Sequence, residues 1–337
     1  MAELVNVALD AMGGDNAPGE IVKGAVQAIN EMDNVKVYLL GKEDMVNAEL
    51  AKYTYDKERI EVIHTEDVIE MSEAPVNAIR KKKDSSIVKG MQMTKEGKAD
   101  AFVSAGSTGA VLVGGTVLVG RIKGVERAPL APLLPTANGM ALLIDCGANV
   151  DARPSHLVQF AKMGSIYMES VMGIKNPRVA LVSNGAEEEK GNALVKETHP
   201  LLKACPDINF IGNIEGRDVP LGAADVVVCE AFVGNAVLKT FEGTGKLMMK
   251  TVKEVLMTNV RTKIGALLIK PALKKALAHF DTDSHGGAPL LGLNGLVVKS
   301  HGNSKAVVIR NCIEQCVKFK EQKINEKIKE GLALVSE

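Results

Sequence analysis

Aromatic side chains make up only 3% of the 337 residues, and tryptophan is absent. The core must therefore be built from Val, Leu, Ile, Ala and Met, a profile that suits buried parallel strands covered by helices. Net charge is missing as well, since Lys plus Arg and Asp plus Glu both number 41. That balance excludes a general nucleic-acid binder and leaves only local patches. The five cysteines show no CxxC spacing, and the first residues lack a basic stretch followed by an apolar one. A reduced cytoplasmic protein without a signal peptide is expected. No apolar run reaches the roughly 18 residues that span a bilayer, so any membrane contact is expected to be peripheral.

Several chemical signatures are missing too. There is no GxGxxG fingerprint, no GxSxG elbow and no HExxH pair, and the six histidines are scattered. Gly243-Thr244-Gly245-Lys246 is not a phosphate-binding P-loop, because Thr240 and Leu247 stand where glycine and a magnesium-binding hydroxyl are required. Cys146 follows Asp145 and Cys229 precedes Glu230, and adjacent carboxylates discourage a thiolate. A covalent acyl-enzyme is disfavoured. A metal site has little support, and no cofactor is expected.

What the sequence does contain is a repeated theme of apolar strand, polar glycine-rich loop and helix. Ala101-Phe102-Val103 runs into Ser104-Ala105-Gly106-Ser107-Thr108-Gly109, after which apolar residues resume. At such junctions the first N–H groups of a helix lack partners and can meet an anion. Val5–Leu9 likewise runs into Asp10, Gly13, Gly14 and Asp15 before a helix at Glu20–Met32, although paired glycines also suit a plain tight turn. Strands are expected at Val35–Leu40, Ile60–His64, Arg178–Val182, Ile208–Ile211 and Asp225–Val228, and a hairpin at Pro129–Leu134 with Met140–Ile144. Their loops carry Asp145 and Asn149, Lys190 and Asn192, Arg217 and Asp218, and Asn235. Functional loops at the carboxyl ends of a mostly parallel sheet are implied, in one unit, 1–337, with two lobes.

Two basic regions depart from this theme. Arg80, Lys81, Lys82 and Lys83 form either a solvated face or a contact for an acidic partner or a phosphate. Residues 246–275 read as a basic amphipathic helix, with Leu256, Val260, Ile264, Leu267 and Leu268 close to one face. That face suits a core, a dimer interface or an anionic membrane surface.

Eight segments, taken together and in order, resemble one family. DAMGGD (10–15), KKDSS (82–86), SAGSTGA (104–110), DCGAN (145–149), EEEKGN (187–192), GNIEGRD (212–218), CEAFVGN (229–235) and GGAPLLG (286–292) are similar to the bacterial phosphate acyltransferase family, PlsX. Ser107 stands where that family often has Asn, and Glu230-Ala231 where it often has Asp-Gly. The resemblance implies a three-layer α/β/α fold like the isocitrate and isopropylmalate dehydrogenases and phosphotransacetylase, and a homodimer. It implies that acyl-[acyl-carrier protein] and inorganic phosphate give acyl phosphate and free carrier protein. The product then passes to a membrane glycerol-3-phosphate acyltransferase that begins phospholipid synthesis.

That reaction assigns expectations to residues. Phosphate is its own nucleophile, so the site must hold a dianion against a thioester carbonyl and stabilise the oxyanion. Lys190 and Arg217 are the expected charge clamps. Gly13, Gly14, Ser104, Ser107, Thr108, Asn149, Asn192 and Asn235 surround the phosphate, and Asp10, Asp15, Asp145 and Asp218 orient those donors. His285 is the candidate acid for the leaving thiolate. Acidic carrier protein is the expected partner for residues 80–83, and membrane for 246–275, which would hold the cytoplasmic protein at the inner face of the cell membrane. A phosphotransacetylase-like enzyme using acyl-CoA, a dehydrogenase of related fold, and a non-catalytic lipid-enzyme scaffold are the competing readings.

Overall fold

A computed structural model describes residues 3–277 and 286–333. The strands are β1 (Val5–Asp10), β2 (Val35–Gly41), β3 (Ile60–His64), β4 (Ala101–Ser104), β5 (Leu133–Thr136), β6 (Gly139–Ile144), β7 (Arg178–Ser183), β8 (Asn209–Glu215), β9 (Val226–Val228), β10 (Ala288–Leu290) and β11 (Leu296–Lys299). One sheet has the order β10-β11-β4-β1-β2-β3 and the other β5-β6-β9-β7-β8. Every pairing within them is parallel except β10 with β11 and β5 with β6.

The strands are short apolar runs because helices cover both faces. On β1, Val7 and Leu9 join the core formed with α1 (Gly19–Glu31) and α10 (Ala306–Glu321), while Ala8 faces the opposite cluster with Ile87 and Met91 of α4 (Ser86–Lys95). On β6, Leu142 and Ile144 share a core with Phe160 of α6 (Pro154–Met172), and Leu143 belongs to the other face. The α1/α10 core and the α6 core are one continuous cluster across both sheets. Cys312, Cys316 and Phe319 of α10 lie in it. The architecture is a three-layer α/β/α fold.

Pro129–Ala131 joins the sheets. Ala131 N–H donates to the Pro289 carbonyl and Leu291 N–H to the Pro129 carbonyl, each at 3.0 Å, while on the other side Cys146 N–H donates to the Leu130 carbonyl at 2.9 Å. The segment is thus paired with both sheets at once.

Four expectations need correction. The first hairpin strand, expected at Pro129–Leu134, is β5 at Leu133–Thr136, because residues 129–131 are held between the two sheets instead. Residues 212–215, read as loop, continue β8, which pairs with β7 as far as Ser183 with Glu215 across a register shift at Val179/Ala180. Ala288–Leu290, read as loop, forms an edge strand held antiparallel by β11. Residues 246–275 are not one helix: α8 (Ala231–Leu256) ends, and α9 (Val260–Leu277) starts anew. Asn259 causes the restart, since its side chain accepts from Thr262 N–H and the Thr262 hydroxyl accepts from Asn259 N–H, both at 3.1 Å. This reciprocal cap satisfies the first donors of α9. The early part of α8 packs through Val233, Val237, Leu238 and Phe241 on the second sheet. Beyond it the α8–α9 hairpin is almost wholly exposed, with Leu267 and Leu268 71% and 76% accessible and Leu256 half-buried.

Candidate active site

Two buried carboxylates organise the carboxyl ends of the strands. Asp10, the last residue of β1, is 1% exposed. One of its oxygens accepts from the Ser86 hydroxyl at 2.6 Å and from Met12 N–H at 3.1 Å, and the other from the Ser104 hydroxyl at 2.7 Å. Ser86 is delivered by the start of α4, where the Ser85 hydroxyl accepts from Val88 N–H as the helix cap. Ser104 ends β4, and its oxygen also accepts Gly106 N–H at 3.0 Å. Only glycine fits at position 13, where a Cβ would sit 2.3 Å from an Asp10 oxygen and 2.7 Å from the Gly106 nitrogen. Gly14, at φ +96°, leads to Asp15, whose N–H donates to the Gly302 carbonyl at 2.7 Å. The loop after β1 is therefore wedged between those after β4 and β11.

Lys299 closes this group. It ends β11, is 8% exposed, and its Nζ donates to the carbonyls of Ser300 and, at 3.5 Å, Ala105. Burial pulls its ammonium pKa down to about 8, against the opposing pull of Asp10. Burial also raises the Asp10 carboxyl, while the Ser86, Ser104 and Met12 donors and the Lys299 charge hold it down.

Asp145, fully buried after β6, is the second centre. One oxygen accepts from Leu130 N–H at 2.9 Å and Ala148 N–H at 3.2 Å, and the other from the N–H and the side-chain amide of Asn149, both at 2.7 Å. Burial again raises the carboxyl, opposed by these donors. The Asn149 amide also reaches the Ala128 carbonyl at 3.0 Å, and Asn149 in turn accepts Ala231 N–H at 3.2 Å where α8 begins. Gly234 is obligatory there, since a Cβ would stand 1.9 Å from the Asp145 carbonyl oxygen.

α8 bridges the two centres. Its Lys239 charge bears on both Cys146 and Lys299. Glu242, paired with Lys239 at 3.0 Å, lies 3.9 Å from His301 in the loop after β11. The cysteines near these loops are poor nucleophiles. Burial, more than the neighbouring Asp145 charge, pushes the Cys146 thiol up to about 12 and Cys229 well above its ordinary value.

The remaining sequence-selected residues are placed as follows. Lys190 and Arg217 sit on the segments after β7 and β8, and the Asn213 amide on β8 ties the first of these segments to its own strand by donating to the Glu187 carbonyl at 2.9 Å. Both are exposed, and Arg217 is paired with Glu215. Among the described residues no contact joins either cation to the Asp10 or Asp145 groups. Asn192 caps α7 (Ala193–Lys203) by accepting from Val195 N–H at 2.9 Å, and Asp218 accepts from Glu215 N–H at 2.9 Å. Ser107, buried, accepts Ala110 N–H as cap of α5 (Thr108–Gly114), while Thr108, Asp15 and Asn235 are exposed. The four-cation patch is reduced: Arg80, Lys81 and Lys83 are exposed, but Lys82 folds back onto Glu73 and the Val68 carbonyl, each at 2.6 Å. His285 lies outside the described residues.

Sequence reasoning missed Ser86 and Lys299. Lys299 had a readable signal, a strand-shaped Leu296-Val297-Val298 running into Lys299-Ser300-His301-Gly302.

An α/β enzyme with its polar groups at strand ends is the class this geometry defines, and solved structures agree on the fold. The chain superposes on EutD phosphotransacetylase from Staphylococcus aureus with a TM-score of 0.60 at 19% identity, covering 94% of each chain. For a phosphotransacetylase from Streptococcus pyogenes the TM-score is 0.62 at 17% identity, covering 95% of each. Sequence is more specific. The family described as fatty acid synthesis protein matches residues 5–327. A phosphate acyltransferase from Clostridium novyi is 50% identical over 96% of this chain and 98% of its own length, and one from Clostridium acetobutylicum is 48% identical over 97% and 98%. The chain belongs to this family, the phosphate acyltransferases, which are acyl-transferring enzymes of fatty acid and phospholipid synthesis.

Proposed function

We propose that the protein transfers the acyl group of an acyl-[acyl-carrier protein] to inorganic phosphate. A phosphate oxygen attacks the thioester carbonyl, the new C–O bond forms, the C–S bond breaks, and the carrier thiolate leaves to take up a proton. The observation that carries this reading is the Asp10 group: a buried carboxylate fixing two hydroxyls beside a buried lysine, with no competent thiolate nearby. Direct attack needs no activated side chain, only held charge and aimed donors. In this mechanism Lys299 and the loop N–H groups hold phosphate, and Ser104 turns its hydroxyl from Asp10 to the incoming anion. Asn149, whose N–H groups are all given to Asp145 and Ala128, positions its loop, Asn235 faces the oxyanion, and Lys190 and Arg217 swing in from the outer strands. His285 supplies the proton to sulfur.

Phosphate-dependent release of carrier thiol with detection of acyl phosphate tests the reaction. Turnover with acyl-CoA but not with acyl-carrier protein would overturn it. Lys190→Ala and Arg217→Ala should each lower turnover by roughly 10²–10³ if they clamp the transition state. Near-normal rates in both would remove that assignment.

Arg80, Lys81 and Lys83 are the proposed contact for the acidic carrier, a contribution that fades with salt. Among the described residues no helix is long and apolar enough to cross a membrane. The exposed Val260, Ile264, Leu267 and Leu268, flanked by Lys263 and Lys270, suit an anionic membrane surface, where product would be released beside a membrane glycerol-3-phosphate acyltransferase. Replacing Leu267 and Leu268 by Glu should abolish binding to anionic vesicles and leave turnover intact. Loss of turnover together with a change in sedimentation would instead make the hairpin part of a homodimer.

A further inference from the structure

A second anion site lies beside the Asn149 loop. Residues 121–127 and the start of α6 border an open surface hollow of about 430 Å³, lined by the exposed Arg121, Glu126, Arg127 and Arg153 and by His156. The acid in this set is bonded through one oxygen only, and three cations outnumber its single charge. One Glu126 oxygen meets His156 Nε2 and the Ser155 hydroxyl, each at 3.1 Å. His156 Nδ1 accepts Arg153 N–H at 3.0 Å, so Nε2 carries the ring proton, and burial holds the imidazole below its ordinary pKa. The histidine is a neutral strut rather than a cation.

The arginines are differently placed. Arg121 and, at 3.3 Å, Arg127 touch only the Glu126 backbone carbonyl, and the Arg153 guanidinium has no side-chain bond among the described residues. Elsewhere Arg59, Arg178, Arg217 and Arg310 each hold a carboxylate, whereas the exposed Arg80 and Arg261 hold none among the described residues and lie apart from any such hollow. Three guanidiniums that line one hollow and, among the described residues, hold no carboxylate leave N–H donors for an anion, and phosphate suits them.

Their position says which phosphate. The Asn149 amide donates to the Ala128 carbonyl, one residue past Arg127. Arg153 follows Asn149 by four residues, so their Cα atoms are at most about 14 Å apart. An anion in the hollow is thus a short chain length from the site where the thioester reacts. We propose that this hollow holds the phosphate of the substrate's pantetheine arm, the anionic group that carrier-protein and coenzyme A thioesters share. The inference rests on the thioester reading above, and adds where the arm is gripped and by what.

Calorimetric titration with 4′-phosphopantetheine and with pantetheine, on wild type and on R121A/R127A/R153A, tests it. Wild type should bind the phosphorylated arm at least about tenfold more tightly, and the variant, with its melting temperature unchanged, should bind both equally. A wild type without preference, or a variant that keeps it, overturns the proposal. Titration of holo- against apo-carrier protein, and of coenzyme A, separates the sources. Arm-dependent carrier binding lost in the variant supports the carrier as donor. Coenzyme A binding lost in the variant, with no arm-dependent carrier binding, upholds the phosphate subsite while overturning the carrier reading.

Discussion

Asp10 and Asp145 occupy equivalent places, each buried at the carboxyl end of a central strand, each with its acidity weakened by burial. They differ in what they hold. Asp10 accepts from two serine hydroxyls and one backbone N–H and faces a lysine, whereas Asp145 accepts from three backbone N–H groups and one amide and, among the described residues, faces no such cation. Hydroxyls rotate and can exchange donor for acceptor; backbone N–H groups cannot. The first centre is therefore adjustable and suited to a changing ligand, and the second is a fixed knot that shapes the loop carrying Asn149.

This contrast can be broken from either side. The largest effect is expected from Gly234→Ala, whose methyl meets the Asp145 carbonyl oxygen and must push α8 from the knot. A loss of about 3 kcal/mol in denaturant unfolding is expected. Next, Asp145→Asn turns an NH₂ toward donors whichever way the amide lies, because each oxygen already receives two, and should cost about 2–3 kcal/mol. Asp10→Asn should cost only about 1 kcal/mol, since the oxygen facing Ser104 receives that hydroxyl alone and the serine can turn to accept. Equal losses in the two variants would abolish the distinction.

Smaller effects sharpen it. With its ammonium pKa near 8 rather than 10.5, Lys299 is charged below about pH 8 and neutral above it. The KM for phosphate should climb by up to about tenfold per pH unit above 8, and stay flat in Lys299→Arg, whose cation persists. Stability has the opposite sign. Between those two pKa values the unfolded chain binds the proton that the folded one has shed, so unfolding free energy rises with pH by up to about 1.4 kcal/mol per unit, a rise that Lys299→Met removes. Smallest is Ser107→Asn, which keeps an N-cap on α5 and should leave the melting temperature and turnover near wild type.

Much of this was legible from the chain. Apolar runs ending in small polar residues located the parallel strands, with β3 falling on Ile60–His64, and the turn at Asn138-Gly139 located the hairpin, although its first strand runs over Leu133–Thr136 rather than Pro129–Leu134. The helix break at Asn259 was also written, as Asn-x-x-Thr, but the apolar periodicity on either side outweighed it. Partner choice was not legible. That Lys82 would fold onto Glu73 and Arg217 onto Glu215, while three arginines near residues 121–153 would face a hollow, depends on loop paths. A run of cations announces charge, whereas isolated arginines become a site only when folding gathers them. Lys299 escaped for a related reason: a lysine ending a strand reads as surface until three elements close over it.

The pairing of Pro129–Ala131 with both sheets fixes how the protein must come apart. The amides of Ala131, Leu291 and Cys146 belong to bonds that neither sheet can break alone. Their deuterium uptake should therefore track global unfolding, with one protection factor for all three. A chain with two sheets would then melt in a single transition, and stepwise aggregation through a half-unfolded form would have no populated starting point.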